Sequence, residues 1–484
     1  MTDGLAKTTE EFRIEKDLLG EKPVPRAAYY GIQTARAVEN FPITGMRLDP
    51  ELIKALAMVK KAAARANMGA GLLDARIGEA IVAAATELVE GHLRDQFPVD
   101  ALQGGAGTSA NMNANEVIAN RAIEILGGQM GDYHQVSPHN HVNLSQSTND
   151  VMPTALRIAA LWGCRRLIDV LEKLEGSLGN KAAEFDDVLK VGRTHLQDAV
   201  PIRLGQEFGA YQAAVRRGRD RLAKATEAVS FVNLGATAVG TGLNADRQYI
   251  ELAVEELGRL TGLELKPVED LVDGTQNLDP LVELSGVLKA LAVSLSKISN
   301  DLRLMASGPR CGLSEIKLPE VQPGSSIMPG KVNPVIPEVV NQVCLQVFGN
   351  DLTISLAAEA GQLELNVMLP VLARNLLESI DILAGAVRVL DERCIRGIAA
   401  NGERCREMVE RSAGLATALN PHIGYTAAQE IAREATRTGQ PVREIALSKG
   451  VLEAKELDRI LSPREMTEPG FLPSECTRLT DSTK

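Results

Sequence analysis

The strongest constraint on the fold lies between Leu281 and Met305, where Leu281, Leu284, Leu288, Leu291, Leu295, Ile298, Leu302 and Met305 recur at alternating spacings of three and four. A heptad seam sustained over this length requires a helix that packs along a partner of similar length, crossing it at about +20°. Leu204, Phe208, Tyr211, Val215, Leu222 and Val229 repeat the pattern, with Gly218 at a position where another helix could approach closely. Further long helical stretches read at 153–184, 337–360 and 369–393, so five long helices form a bundle. Val282, Val287, Ala290 and Val293 lie off the strict seam and imply burial on more than one side. We therefore expect bundles from several subunits to associate through these helices.

Composition agrees with an all-α fold. The chain of 484 residues is 45% apolar but only 3% aromatic, and plentiful Ala, Leu and Val favour closely packed helices over aromatic-rich strands. Three domains are expected: a mainly helical N-terminal domain over 1–142, the central bundle over 143–395, and a small helical C-terminal domain with a polar tail over 396–484. The net charge of −11 argues against nucleic acid as a partner. Six scattered cysteines without a CxxC pair, and a charged start without an apolar signal core, predict a cytoplasmic protein. The longest charge-free stretch, 228–245, carries three glycines and two asparagines and reads as a loop, not a membrane span.

Four polar, glycine-rich segments interrupt the helical background, and reactive groups are expected there. QGGAGTSANMNAN, 103–115, offers Thr108 beside glycines that allow close backbone approach to a ligand; Thr108 could equally cap the next helix. NLSQSTNDVMP, 143–153, places Ser147, Thr148 and Asn149 at a helix start, where hydroxyls and N–H groups suit a carboxylate. GRTHLQDAVP, 192–201, contains Thr194 and His195, and a lone histidine is more often structural than catalytic. GSSIMPGKVNP, 324–334, superficially resembles a phosphate loop, but five residues separate Gly324 from Gly330 and Val332 replaces the magnesium-binding hydroxyl. Nucleotide binding is rejected, leaving paired serines, Lys331 and Asn333 in a loop able to close over a substrate.

The GSSIMPGKVNP stretch resembles the signature loop of the aspartase/fumarase superfamily, helical lyases that release fumarate by elimination, and the similarity extends over nearly the whole chain. AYYGIQT at 28–34, QGGAGTS at 103–109, QSTND at 146–150 and VNPVIPEVVNQV at 332–343 resemble the amine-eliminating aspartase branch more than class II fumarases. One departure is His139 in SPHNHVN, where the family usually has Asn; it bears on a secondary carboxylate site at that loop.

The resemblance implies reversible deamination of L-aspartate to fumarate and ammonia, with class II fumarase activity or a silent helical scaffold as alternatives. It implies that Thr108, Ser147, Thr148 and Ser326 hold the distal carboxylate and that Lys331 and Asn333 bind the other. Asn149, Thr194 and His195 complete the pocket, Glu338 orients His195, and Ser325 is the base. It implies no metal or organic cofactor, and a homotetramer whose sites each draw on three subunits.

Overall fold

The computed structural model describes residues 11–470; Cys476, the polar tail beyond 470 and the first ten residues lie outside the described residues. All five expected long helices are present, as Thr148–Glu184, Leu204–Val229, Asp279–Met305, Val335–Glu359 and Leu369–Arg393. The first begins five residues before Pro153, the start that its sequence pattern predicts. Proline lacks the N–H that would bond the carbonyl four residues back. Here that carbonyl, of Asn149, accepts instead from Asn233 Nδ2 at 3.1 Å, so the helix continues through the proline.

Shorter helices, Ile32–Asn40, Pro50–Gly69, Ala75–Val89 and Thr108–Ile125, precede the bundle. The fold is all-α, with four two-stranded ladders among the described residues. Two of them are hairpins, Phe12–Asp17 with Gly20–Pro25 and Leu189–Thr194 with Gln197–Arg203. Neither was expected from the sequence, where Pro23 and Pro25 in one second strand and Pro201 in the other argue against strands.

Each of the eight seam residues from Leu281 to Met305 is at most 5% exposed within the single chain. The seam therefore faces its own chain's core, leaving the off-seam positions, not the seam, as the part of this helix available to another subunit. Other apolar groups remain uncovered: Val293 off the seam is 55% exposed, and Leu345, Leu352 and Leu356 on the Val335–Glu359 helix are 66%, 62% and 59% exposed.

The chain divides into two compact units. The first comprises 1–168, 220–292 and 344–384, and the second 169–219, 293–343 and 385–484. In the first, Pro50–Gly69 starts at a strong cap: Asp49 accepts from the N–H groups of Glu51 and Leu52, and proline occupies the first turn. Its buried face is rich in alanine, including Ala55, Ala62, Ala63 and Ala66, which lets neighbouring helices come close. In the second unit, Leu415, Leu419, Ile431, Val442, Ile445, Leu457 and Ile460 form a separate apolar core that also takes in Val191 from the 189–203 hairpin. The 442–461 segment is an ordinary pair of short helices within this core.

Candidate active site

The first unit carries Thr108, Ser147, Thr148 and Asn149; the second carries Thr194, His195, Ser325, Ser326, Lys331, Asn333 and Glu338. In the first unit, Gly105, Ala106 and Gly107 all have positive φ, and Thr108 opens its helix directly after them. A side chain at Gly107 would put its Cβ 2.8 Å from Met152 Cε, so glycine lets the Thr108 turn lie against the first turns of the Thr148 helix. Thr108 is not an N-cap: its hydroxyl donates to Gly105 O at 2.6 Å and stays exposed, leaving its lone pairs open. Asn111 Nδ2 reaches Thr148 Oγ1 at 3.1 Å and ties the two helix starts together.

Ser147 caps the Thr148 helix. Its Oγ accepts from Asn149 N, and Asp150 Oδ1 accepts from Ser147 N at 3.0 Å, a reciprocal capping box. The other oxygen of Asp150 accepts from Gly235 N and Thr237 N. Asn149 donates its side-chain N–H to Ala238 O at 2.7 Å. The Ser147 to Asn149 turn is thus held from behind by the 233–238 segment, which had read only as a loop.

Lys60 lies outside the four polar segments that the sequence singles out. It is wholly buried, yet donates to Asn143 Oδ1 and Gln146 Oε1, each at 2.9 Å. Asn143 Oδ1 also accepts from Asn111 and Asn115, so one ammonium anchors the polar layer beneath Thr148. The available signal was a Lys-Lys pair inside an alanine-rich helix, where adjacent side chains point about 100° apart and one lysine can face inward.

Burial pushes Lys60 down to about 7 and Asp150 up to about 6, while each favours the charged form of the other. Between about pH 7 and 10.5 the unfolded chain therefore holds a proton on Lys60 that the folded chain lacks. Stability from this group rises with pH across that window and is constant below it. Asp150, raised from 3.8, loses its contribution as pH rises only from 3.8 to about 6, outside the Lys60 window. We expect the unfolding free energy of the wild type, relative to Lys60→Met, to climb between pH 7 and 10. The slope should approach, at most, about 1.4 kcal/mol per pH unit. Denaturant titrations at several pH values check this, and a constant difference would remove Lys60 as the cause.

In the second unit, Thr194 and His195 sit at the tip of the 189–203 hairpin, exposed to solvent. Thr194 pairs with Gln197, and the two residues between them, His195 and Leu196, have φ of 55° and 60°. This is the primed turn that suits a twisted hairpin, built without the usual glycine and so strained.

Ser325, partly buried, lies on the 324–334 loop beside exposed Ser326 and Lys331. Ile327 N donates to Ser325 Oγ at 3.2 Å, and Lys331 N donates to Met328 O at 3.2 Å. Gly324 closes the loop: an added Cβ would stand 1.8 Å from Lys331 O. Asn333 and Glu338 follow where the loop enters the Val335–Glu359 helix, whose fourth residue is Glu338. Among the described residues, no group of three or more His, Cys, Asp or Glu is arranged to hold a metal ion.

The bundle presents hydroxyl-bearing helix starts in one unit and a serine–lysine loop in the other, and comparison with known proteins places such a chain among the helical lyases. A profile described as "Lyase" matches residues 20–349, and one described as "Fumarase C C-terminus" matches 415–468. An aspartate ammonia-lyase of Bacillus sp is 58% identical over 461 residues, covering 95% of this chain and 98% of the relative. Among solved structures, a fumarate lyase (delta crystallin) of Brucella melitensis bound to cobalt superposes with TM-score 0.92 at 53% identity, covering 95% of this chain and 100% of that one. A class II fumarase of Schistosoma mansoni superposes with TM-score 0.91 at 38% identity, covering 95% and 99%. The chain belongs to the aspartate ammonia-lyase family of the aspartase/fumarase superfamily, and is an enzyme, a carbon–nitrogen lyase.

Proposed function

We propose that the protein catalyses reversible deamination of L-aspartate to fumarate and ammonia by anti-elimination, with Ser325 as the base. The proton removed lies next to the distal carboxylate and is very weakly acidic. Its loss places two negative charges on that group as an aci-carboxylate, so the enzyme's main task is to stabilise a developing oxyanion. Fixed neutral donors suit this task because their bonds strengthen as charge develops. Thr108, Ser147, Thr148 and Ser326 are assigned to this carboxylate, and Lys331 and Asn333 to the other. Asn149, Thr194 and His195 complete the pocket, with Glu338 orienting His195.

The observation that carries the reading is the hydrogen bond from Ile327 N to Ser325 Oγ, in a loop that also holds Lys331. A serine hydroxyl becomes a base only as an alkoxide, and that N–H with a lysine on the same loop is the support an alkoxide needs once water is excluded. Aspartate's amino group leaves as neutral ammonia from its protonated form, so no strong general acid is required. His195 then acts as a substrate binder.

The same fold carries class II fumarases, and malate is the competing substrate. Aspartate and malate supplied separately, with fumarate followed, decide between them; no fumarate from aspartate would end the first reading. Intact Ser325, Lys331 and Asn333 speak against a silent scaffold.

We further propose a homotetramer with each site drawn from three subunits, supported by exposed Leu345, Leu352 and Leu356 along one helix. A solution mass below four chains would contradict it. The division into 1–142, 143–395 and 396–484 is retained, supported at its second boundary by the end of the Leu369–Arg393 helix. We place the enzyme in the cytoplasm. The five described cysteines form no disulfide with one another, and among the described residues no helix is long and apolar enough to cross a membrane.

A further inference from the structure

Glu315 has no exposed side-chain surface, and its carboxylate lies between two cations of the 189–203 hairpin, hydrogen-bonded to one and ion-paired with the other. Arg193 Nη1 donates to Oε1 at 2.7 Å, and Lys190 Nζ stands 3.2 Å from Oε2 while donating to Glu207 at 2.8 Å. The backbone of Glu315 is held as firmly. Its N–H donates to Met305 O at 2.9 Å, and its carbonyl accepts from Asn401 N at 2.8 Å. The chain then enters the Ile316–Lys317 strand, paired with Ala399–Ala400, which forms the stem leading to the Ser325 loop.

Arg193 precedes Thr194 and His195, the two residues that the hairpin tip offers to substrate. Their turn has positive φ at two residues that are not glycine, a conformation the surroundings must impose. A buried ion pair is poor at adding stability, because removing both charges from water costs about as much as their attraction returns. Its directed bonds are good at fixing geometry.

We propose that Glu315 is a positioning residue for the reaction: its carboxylate ties the strained hairpin tip carrying Thr194 and His195 to the stem of the Ser325 loop. This rests on the reading of His195 as a substrate binder given above. The carboxylate touches no substrate, and its effect passes through Arg193 and the hairpin.

Glu315→Gln is expected to lower kcat/KM for aspartate by about 10- to 100-fold, the range a misplaced binding group costs. In a His195→Ala background the same change should cost less than about threefold, because the group being positioned is already gone. Hydrogen exchange at the Thr194 to Gln197 amides should quicken in Glu315→Gln without any substrate. Arg193→Gln leaves Lys190 paired with Glu315 and should show the same pattern if Glu315→Gln does not fold. Equal losses in both backgrounds, or unchanged exchange at the hairpin tip, would overturn the proposal. Should the wild type release no ammonium from aspartate, the substrate reading fails, while the exchange measurement still decides the positioning role.

Discussion

Ser325→Ala is expected to lower fumarate formation from aspartate by about a hundred- to ten-thousand-fold, the range over which a positioned base contributes. Removing one oxygen from a partly buried loop residue deletes the acceptor of the Ile327 N–H and no core contact. Thermal unfolding and solution mass should therefore match the wild type, and the loss should lie in kcat, because the hydroxyl acts in the transition state. Steady-state rates with the oligomer checked by sedimentation test this. Near-normal turnover would move the base to another residue.

The second large effect is expected from Gly324→Ala. An added Cβ would lie 1.8 Å from Lys331 O, well inside contact distance, and the obstacle is backbone that cannot swing aside. The closure joining Gly324 to Lys331 must open, displacing Ser325 and Lys331 together. Misplacement by about 1 Å costs on the order of 100-fold in rate, so turnover should fall by roughly that amount. Gly330→Ala is the contrast: its φ of 80° makes a side chain strained, but nothing lies within 4 Å of the added carbon. We expect a smaller loss there, from about 1 kcal/mol of backbone strain. Equal losses in the two variants would show that general loop strain, not the Gly324 closure, controls activity.

The long helices were legible because a heptad repeat reports directly on a surface that must be covered. The Leu281 to Met305 seam and the Leu369–Arg393 helix needed only the spacing of leucines. The start of the first long helix is not legible, because the Asn149 carbonyl freed by Pro153 is met by Asn233, 84 residues further along the chain. The motif segments were visible as glycine and hydroxyl clusters in an aliphatic chain. Their supports were not: Lys60 beneath Thr148, Asp150 bridging Ser147 to Gly235 and Thr237, and Glu315 holding Arg193 are long-range partners that no local pattern announces.

By itself the sequence determined the helical class, the five long helices and the clusters of hydroxyl, amide and lysine side chains proposed to grip a dicarboxylate, since each follows from local periodicity or from the chemistry of neighbouring side chains. Tertiary structure decided which apolar faces are spent inside the chain. The Leu281 seam is covered, while Leu345, Leu352 and Leu356 remain exposed. It also decided how the reactive groups are held, through the left-handed turn at His195, the Gly324 closure and the buried ions beneath them. Burial and hydrogen bonding depend on what approaches from distant parts of the chain, and one-dimensional spacing cannot carry that information.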